Sequence, residues 1–508
     1  MRTIRRVAGL GVTAALLLTA CGGGGDTSND SASGGKIAVG MPIDVTTFDP
    51  HKSLTGPFMQ YLTPVYDTLI RRTSDAKLEP AVATSWKYTS TDRRTFELKL
   101  RSDVTFSDGT KLDAAAVKKN LEHAKADGGP FASSLASVSS VTAPDANTVD
   151  LKLSGAVPDL DFVLAGPLGM LVSPKSLTGD ALNRTPAGSG PYTLSSSSVP
   201  GQRYVYKARK DYWNAKAVGA DSLELSVMPD NDARLNALRS GQIDMTVVFP
   251  QQAQTVKSAG LQLLSKPLNF LGLGLLDRAG TKAPQLGDVR VRQAMNYAVD
   301  RDALVKAVTF GYGTSWNQIF PPSSAGASDT AGKQYPYDLA KAKDLLAKAG
   351  YAKGFTLPVF SESRFSSYLE ALDGQLRKVG IKLDIKLVQS GLTQSWGTTD
   401  NPAPMFVYGV DDVYQAVKLF ALKDSAYNPF KADSPAIRKN FEAAEAATDD
   451  AARDGAYQKI SDEITDQAWF LVTHVQDSLY AVNDKKVSGV EMYTGNSVPF
   501  VYGWKVIG

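Results

Sequence analysis

Short runs in which apolar and polar residues alternate are followed along most of the chain by runs with apolar positions at helical spacing. The first alternating run is KIAVGMPID, from Lys36, and it predicts a strand. TFELKLRSDVTFSDGT (95–110) predicts two more strands, with Asp108 and Gly109 as turn residues, and DAAAVKKNLEHAK (113–125) predicts a helix capped by Asp113. Its apolar face carries Ala116, Val117, Leu121 and Ala124. Strand patterns return at 146–154 and 202–209. The segment 230–248 predicts a helix that stops at Gly241 in a left-handed cap and then a strand through Ile243 and Met245. In 288–308 one helix buries Val291, Ala294, Met295 and Ala298, and Asp300 caps a second. In 338–351 Asp338 caps, Leu339, Ala342, Leu345, Leu346 and Ala349 pack, and Gly350 terminates. Helices alternating with strands predict α/β architecture.

Length changes this picture first. At 508 residues the chain exceeds what one hydrophobic core usually supports, so two or more lobes are expected. With 43% hydrophobic and 21% charged residues it has an ordinary globular balance. The formal charge of +3 comes from the extreme N-terminus: removing Arg2, Arg5 and Arg6 brings the 55 basic residues level with the 52 acidic ones. A mature chain without a localised positive footprint is not expected to bind nucleic acid.

MRTIRRVAGLGVTAALLLTAC (1–21) combines a basic start, an apolar stretch too short to span a bilayer, and small residues, so 1–20 reads as a secretory signal. The single cysteine, Cys21, follows Leu18, Thr19 and Ala20 and resembles the cysteine of a bacterial lipobox, which is lipidated after cleavage. That implies a membrane attachment on the extracytoplasmic face through a lipid anchor, and one cysteine excludes an intrachain disulfide. Residues 21–35, Gly-, Ser- and Asp-rich, have no means of building a core and read as a tether.

Several separated segments carry a family resemblance in their order along the chain: FDP (48–50), VYDTLIRR (65–72), LEPAVATSW (78–86), PAGSGPY (186–192), KDYWN (210–214), RLNALRSGQIDM (234–245), DVRVRQAMNYAVDRDAL (288–304), YDLAKAKDLLAKAGY (337–351) and LRKVGIKLDIK (376–386). The chain resembles the dipeptide-, oligopeptide- and nickel-binding receptors of ABC importers, the bacterial extracellular family 5. The resemblance implies a two-lobed α/β periplasmic-binding-protein-like fold of type II, in the large peptide-binding class, with a hinge between lobes. It also implies permease and ATPase subunits as partners and no catalysis. The expected lobes are 36–270 with 484–508, and 271–483. The outward crossing is expected near Leu268–Leu275 and the return near Val482–Lys486. Trp86, Trp213 and PAGSGPY are expected to shape the scaffold.

A short-peptide ligand is a zwitterion, so a buried site for it needs a carboxylate and an arginine. By resemblance the amine-binding aspartate is Asp411 or Asp412 in MFVYGVDDVYQ, where Val410 stands in place of the family's tryptophan, and the carboxylate-binding arginine is Arg364. Trp396 and Tyr408 are candidates for side-chain pockets. An oligosaccharide or metal chelate is the alternative ligand, and a secreted hydrolase the distant alternative. Three histidines without a hydrolase signature, metal-protease motif or phosphate loop give no expected catalytic residue, cofactor or metal site.

Overall fold

The structure is a computed structural model that describes residues 34–126, 129–177, 181–410 and 412–507. The signal segment, Cys21, the tether to residue 33 and Asp411 lie outside the described residues. Among the described residues no helix is long and apolar enough to cross a membrane.

Most of the alternating runs form strands where expected, though the strand expected through Ile243 and Met245 begins only at Met245. Lys36–Met41 buries every residue after its first and lies centrally in the largest sheet. Among the described residues that sheet has nine strands. Its order is Met405–Gly409, Gln262–Gly274, Phe470–Val482, Met245–Val248, Lys36–Met41, Ser222–Val227, Arg203–Ala208 and Tyr192–Leu194, with Gly313–Ser315 also pairing Phe470–Val482. A second sheet of four antiparallel strands orders Ala83–Tyr88, Thr95–Leu100, Thr148–Leu153 and Val138–Asp145. The helix Ala114–Ala126 covers it, capped by Asp113 through the Ala116 amide at 2.9 Å. Leu98, Leu121 and Leu151 are among the core residues shared there.

The strand expected after Thr95–Leu100 does not form. Gly109 at φ +79° turns the chain back after one bridge pair, Thr105 with Lys111. The Phe106 amide bonds back to the Thr110 carbonyl, the Ser107 amide goes to the distant Gly188 carbonyl, and the Arg209 guanidinium takes the Thr105 carbonyl at 3.0 Å. Asp230, Asp300 and Asp338 each cap a helix through the amide three residues on, and Gly241 and Gly350 adopt positive φ just beyond helix ends.

Two 13-residue strands position the site. Gln262–Gly274 runs antiparallel to Phe470–Val482 along its whole length. The Val482 end of this ribbon is flanked by Met245–Val248, while toward its other end Met405–Gly409 joins Asn269–Leu273 and Gly313–Ser315 joins His474–Gln476. The neighbours therefore change along the ribbon, between Leu479 and Gln476. A register break between Pro267 and Asn269 falls at the same level. Pro267 has no amide to give a ladder, and a bulge re-aims the side chains beside it.

Scaffold motifs from distant parts of the chain meet around Asp67 of VYDTLIRR. Its buried carboxylate accepts from Tyr212 Oη at 2.7 Å and from Trp213 Nε1 at 2.9 Å, both in KDYWN. Burial outweighs these bonds and raises its pKa to about 6. Gly188 and Gly190 of PAGSGPY lie against the Val65 backbone so closely that an added Cβ would sit 2.1 and 2.5 Å from its atoms.

Candidate ligand-binding site

A cavity of about 610 Å³ lies beside the register break. Leu268 and Asn269 line it from the ribbon, and the other walls come from four stretches far apart in sequence: 54–72, 130–168, 408–427 and 495–497. Its size is within the range of roughly 300–1,000 Å³ typical of small-molecule sites. Arg72 and Asp412 are the charged side chains among its described lining residues.

Arg72 ends the short strand Ile70–Arg72, which pairs with Leu78–Pro80. Its Nη2 donates to the Thr494 carbonyl at 2.9 Å and its guanidinium lies 4.9 Å from the Phe162 ring centroid, so hydrogen bond and ring together orient it. Asp412 is half-buried and caps the helix Val413–Phe420 by accepting from the Gln415 amide at 3.1 Å. That helix buries Val413, Tyr414, Ala416, Val417 and Phe420, which holds the cap against the wall. Gln415 Nε2 and Ser497 Oγ are buried in the cavity wall with no hydrogen-bond partner among the described residues. Buried donors left in this way are costly, and a bound ligand with polar groups would satisfy them.

Tyr408 and Asp412 thus line the cavity, whereas two other expected residues do not. Trp396 is 2% exposed, stacks on Phe406 at 4.3 Å and donates from Nε1 to the Met405 carbonyl at 2.8 Å. It packs edge-on to the lining residues Tyr408 and Tyr427 and so backs the wall. The side chain of Arg364 is 66% exposed and held by Glu362 at 2.8 Å, away from the cavity lining. Arg72 supplies the cationic wall in its place. It lies in a segment already singled out as a family motif, but nothing local marks it as a cavity residue. Asn269, Gln415 and Ser497 were likewise not anticipated.

Residues 77–422 match the family model described as bacterial extracellular solute-binding proteins, family 5 middle. The chain belongs to this family. Among curated family 5 relatives, the glutathione-binding protein GsiB of Escherichia coli O6:K15:H31 is 30% identical over 369 residues, 70% of each chain, and that of strain K12 is 29% identical over 369 residues, also 70% of each. Among solved structures, AgaA from A. tumefacien R10 in complex with agropinic acid is 25% identical, with TM-score 0.77, over 93% of this chain and 99% of its own. DppA from Helicobacter pylori in complex with the peptide STSA is 22% identical, with TM-score 0.76, over 93% and 98%, and shares the two-lobed α/β fold. These family 5 proteins are solute-binding proteins of ABC importers, and the present chain has that role.

Proposed function

We propose that this chain captures short peptides by lobe closure and delivers them to the permease and ATPase of an ABC importer, while Cys21 holds it by a lipid at the extracytoplasmic membrane face. Among the described lining residues the charged groups are one guanidinium and one carboxylate, which suits a zwitterion, with Asp412 facing the ligand amine and Arg72 its carboxylate. The glutathione named for the GsiB relatives is itself a peptide-like zwitterion, which supports this ligand class. Gln415 Nε2 and Ser497 Oγ would then bond the peptide's carbonyl groups.

The long ribbon is the proposed hinge between lobe 36–270 with 484–508 and lobe 271–483. The change of neighbours and the Pro267–Asn269 register break support bending there. Tyr457 Oη donates to Asp159 at 2.7 Å and Arg453 pairs with it at 3.2 Å, bridging the proposed lobes. Closure requires that ligand bind the closed state better than the open one.

Thermal unfolding with added di-, tri- and tetrapeptides tests the ligand class. At 100 times Kd a ligand stabilises by about 2.7 kcal/mol, an easily measured rise in midpoint. A rise with peptides supports the proposal. A rise only with an oligosaccharide series or with a nickel–histidine chelate would keep the receptor and overturn the peptide.

A further inference from the structure

Two of the three histidines in the chain come together outside the cavity lining. Asp49 and His51, in and just after the FDP motif, meet His123 from the last turn of the helix Ala114–Ala126, and one donor atom of each lies within 4.8 Å of the others. His123 Nε2 is 3.0 Å from Asp49 Oδ2, and His51 Nδ1 is 3.9 Å from Asp49 Oδ1. Asp49 is 5% exposed and His51 1%.

The far side of His51 sets its chemistry. Its Nε2 is 3.1 Å from the Met170 carbonyl oxygen, which can only accept, so Nε2 carries a proton and Nδ1, the nitrogen that faces Asp49, is the one available to a metal. Two imidazole nitrogens and a carboxylate brought together in a buried place offer a metal ion three donors at once, on loss of any proton between them. A backbone carbonyl on the far nitrogen is also how metal-ligating histidines are commonly oriented.

We propose that Asp49, His51 and His123 form a zinc site, with water as the fourth ligand. Two imidazoles and one carboxylate suit Zn²⁺ rather than Mg²⁺ or Ca²⁺, which prefer all-oxygen shells. Ligand atoms around tetrahedral zinc at about 2.0–2.2 Å stand about 3.4 Å apart; the two imidazoles face different oxygens of Asp49, at 3.0 and 3.9 Å, so the carboxylate would turn to present one oxygen or bind through both. Lys52 Nζ lies 3.8 Å from Asp49 Oδ2 on a half-exposed side chain, and an entering ion would compete with it for the carboxylate.

The ion would join two segments of the cavity wall. The loop bearing Asp49 and His51 continues into Leu54, Thr55 and Gly56, which line it. Gly129, whose added Cβ would lie 2.0 Å from the His51 carbonyl oxygen, leads into Pro130 and Phe131 on the facing stretch. This site is independent of the solute's identity.

The full chain without a histidine tag, stripped by chelator, is titrated calorimetrically with ZnCl₂ alone, with MgCl₂ and CaCl₂ as comparisons. The expected result is one Zn²⁺ per chain, no binding of the hard ions, and at least a tenfold loss of zinc affinity in both His123→Gln and Asp49→Asn. Co²⁺ should give the intense visible bands of a four-coordinate site in the unaltered protein, a readout that needs no variant to fold. No saturable zinc binding below about 100 μM, weak six-coordinate cobalt bands, or unchanged affinity in both folded variants would overturn the proposal and leave the cluster as a hydrogen-bonded brace.

Discussion

Asp412→Asn keeps a helix cap and removes a charge. Asparagine caps about as well as aspartate, so the bond from the Gln415 amide survives and stability should change by only a few tenths of a kcal/mol. Losing one partner of a fully buried ion pair costs about 3–5 kcal/mol, and an exposed pair is worth roughly 0–1. Asp412 is half-buried, so its pairing with a peptide amine is worth about 2 kcal/mol, or about 30-fold in Kd. Calorimetry with one tripeptide and its N-acetylated form separates this effect from general damage. The unaltered protein should bind the acetylated peptide about 30-fold more weakly, and the Asn variant should bind both equally. Asp412→Ala should lose the same affinity and a further ~1 kcal/mol of folding stability with its cap. The pairing is refuted if Asn leaves affinity unchanged, or if the variant still discriminates against acetylation.

Arg72→Gln should weaken peptide binding at least tenfold and abolish discrimination against C-terminally amidated peptides, read by the same calorimetry; retained discrimination would place the carboxylate elsewhere. Asp67 is buried with its pKa raised to about 6, so the folded state holds a proton that the unfolded chain releases near 4. Its contribution to stability is therefore best at low pH and is lost as pH rises through 6, and it should make the protein about 1 kcal/mol more stable at pH 5 than at pH 7. Urea unfolding should show this difference between the unaltered protein and Asp67→Asn; a difference of opposite sign would refute it. Gly190→Ala places a Cβ 2.5 Å from the Val65 carbonyl carbon and 2.6 Å from the Tyr66 nitrogen, where backbone cannot yield, and should cost about 3 kcal/mol in the same assay.

Local chemistry made much of the fold legible. Asp113, Asp300 and Asp338 declare helix starts because a carboxylate three residues before a free amide needs no distant partner, and Gly241 and Gly350 declare ends through their tolerance of positive φ. The strand expected near Thr105 is cut short by the turn at Gly109, and its backbone groups are taken by distant partners, Gly188 and Arg209. The site was harder to read for the same reason. Tyr408 and Asp412 lie on one strand–helix junction whose sequence resembles the family's, but Arg72 and Ser497 reach the cavity only through the tertiary fold. Arg364 occupies a suitable place in the sequence, yet Glu362 two residues earlier holds it toward solvent. Trp396 has the composition of a pocket wall, yet its indole N–H finds the Met405 carbonyl and its face finds Phe406, so it packs behind the wall. The Asp49–His51–His123 cluster leaves no local pattern, because its histidines are 72 positions apart in the sequence.

Native mass spectrometry of the protein purified without denaturation, followed by release and identification of whatever it carries, tests the central claim most directly. The expected result is a ladder of short-peptide masses that disappears in the Arg72→Gln, Asp412→Asn double variant. A single sugar, metal chelate or other metabolite without a peptide, or a peptide ladder undiminished in the double variant, would contradict it.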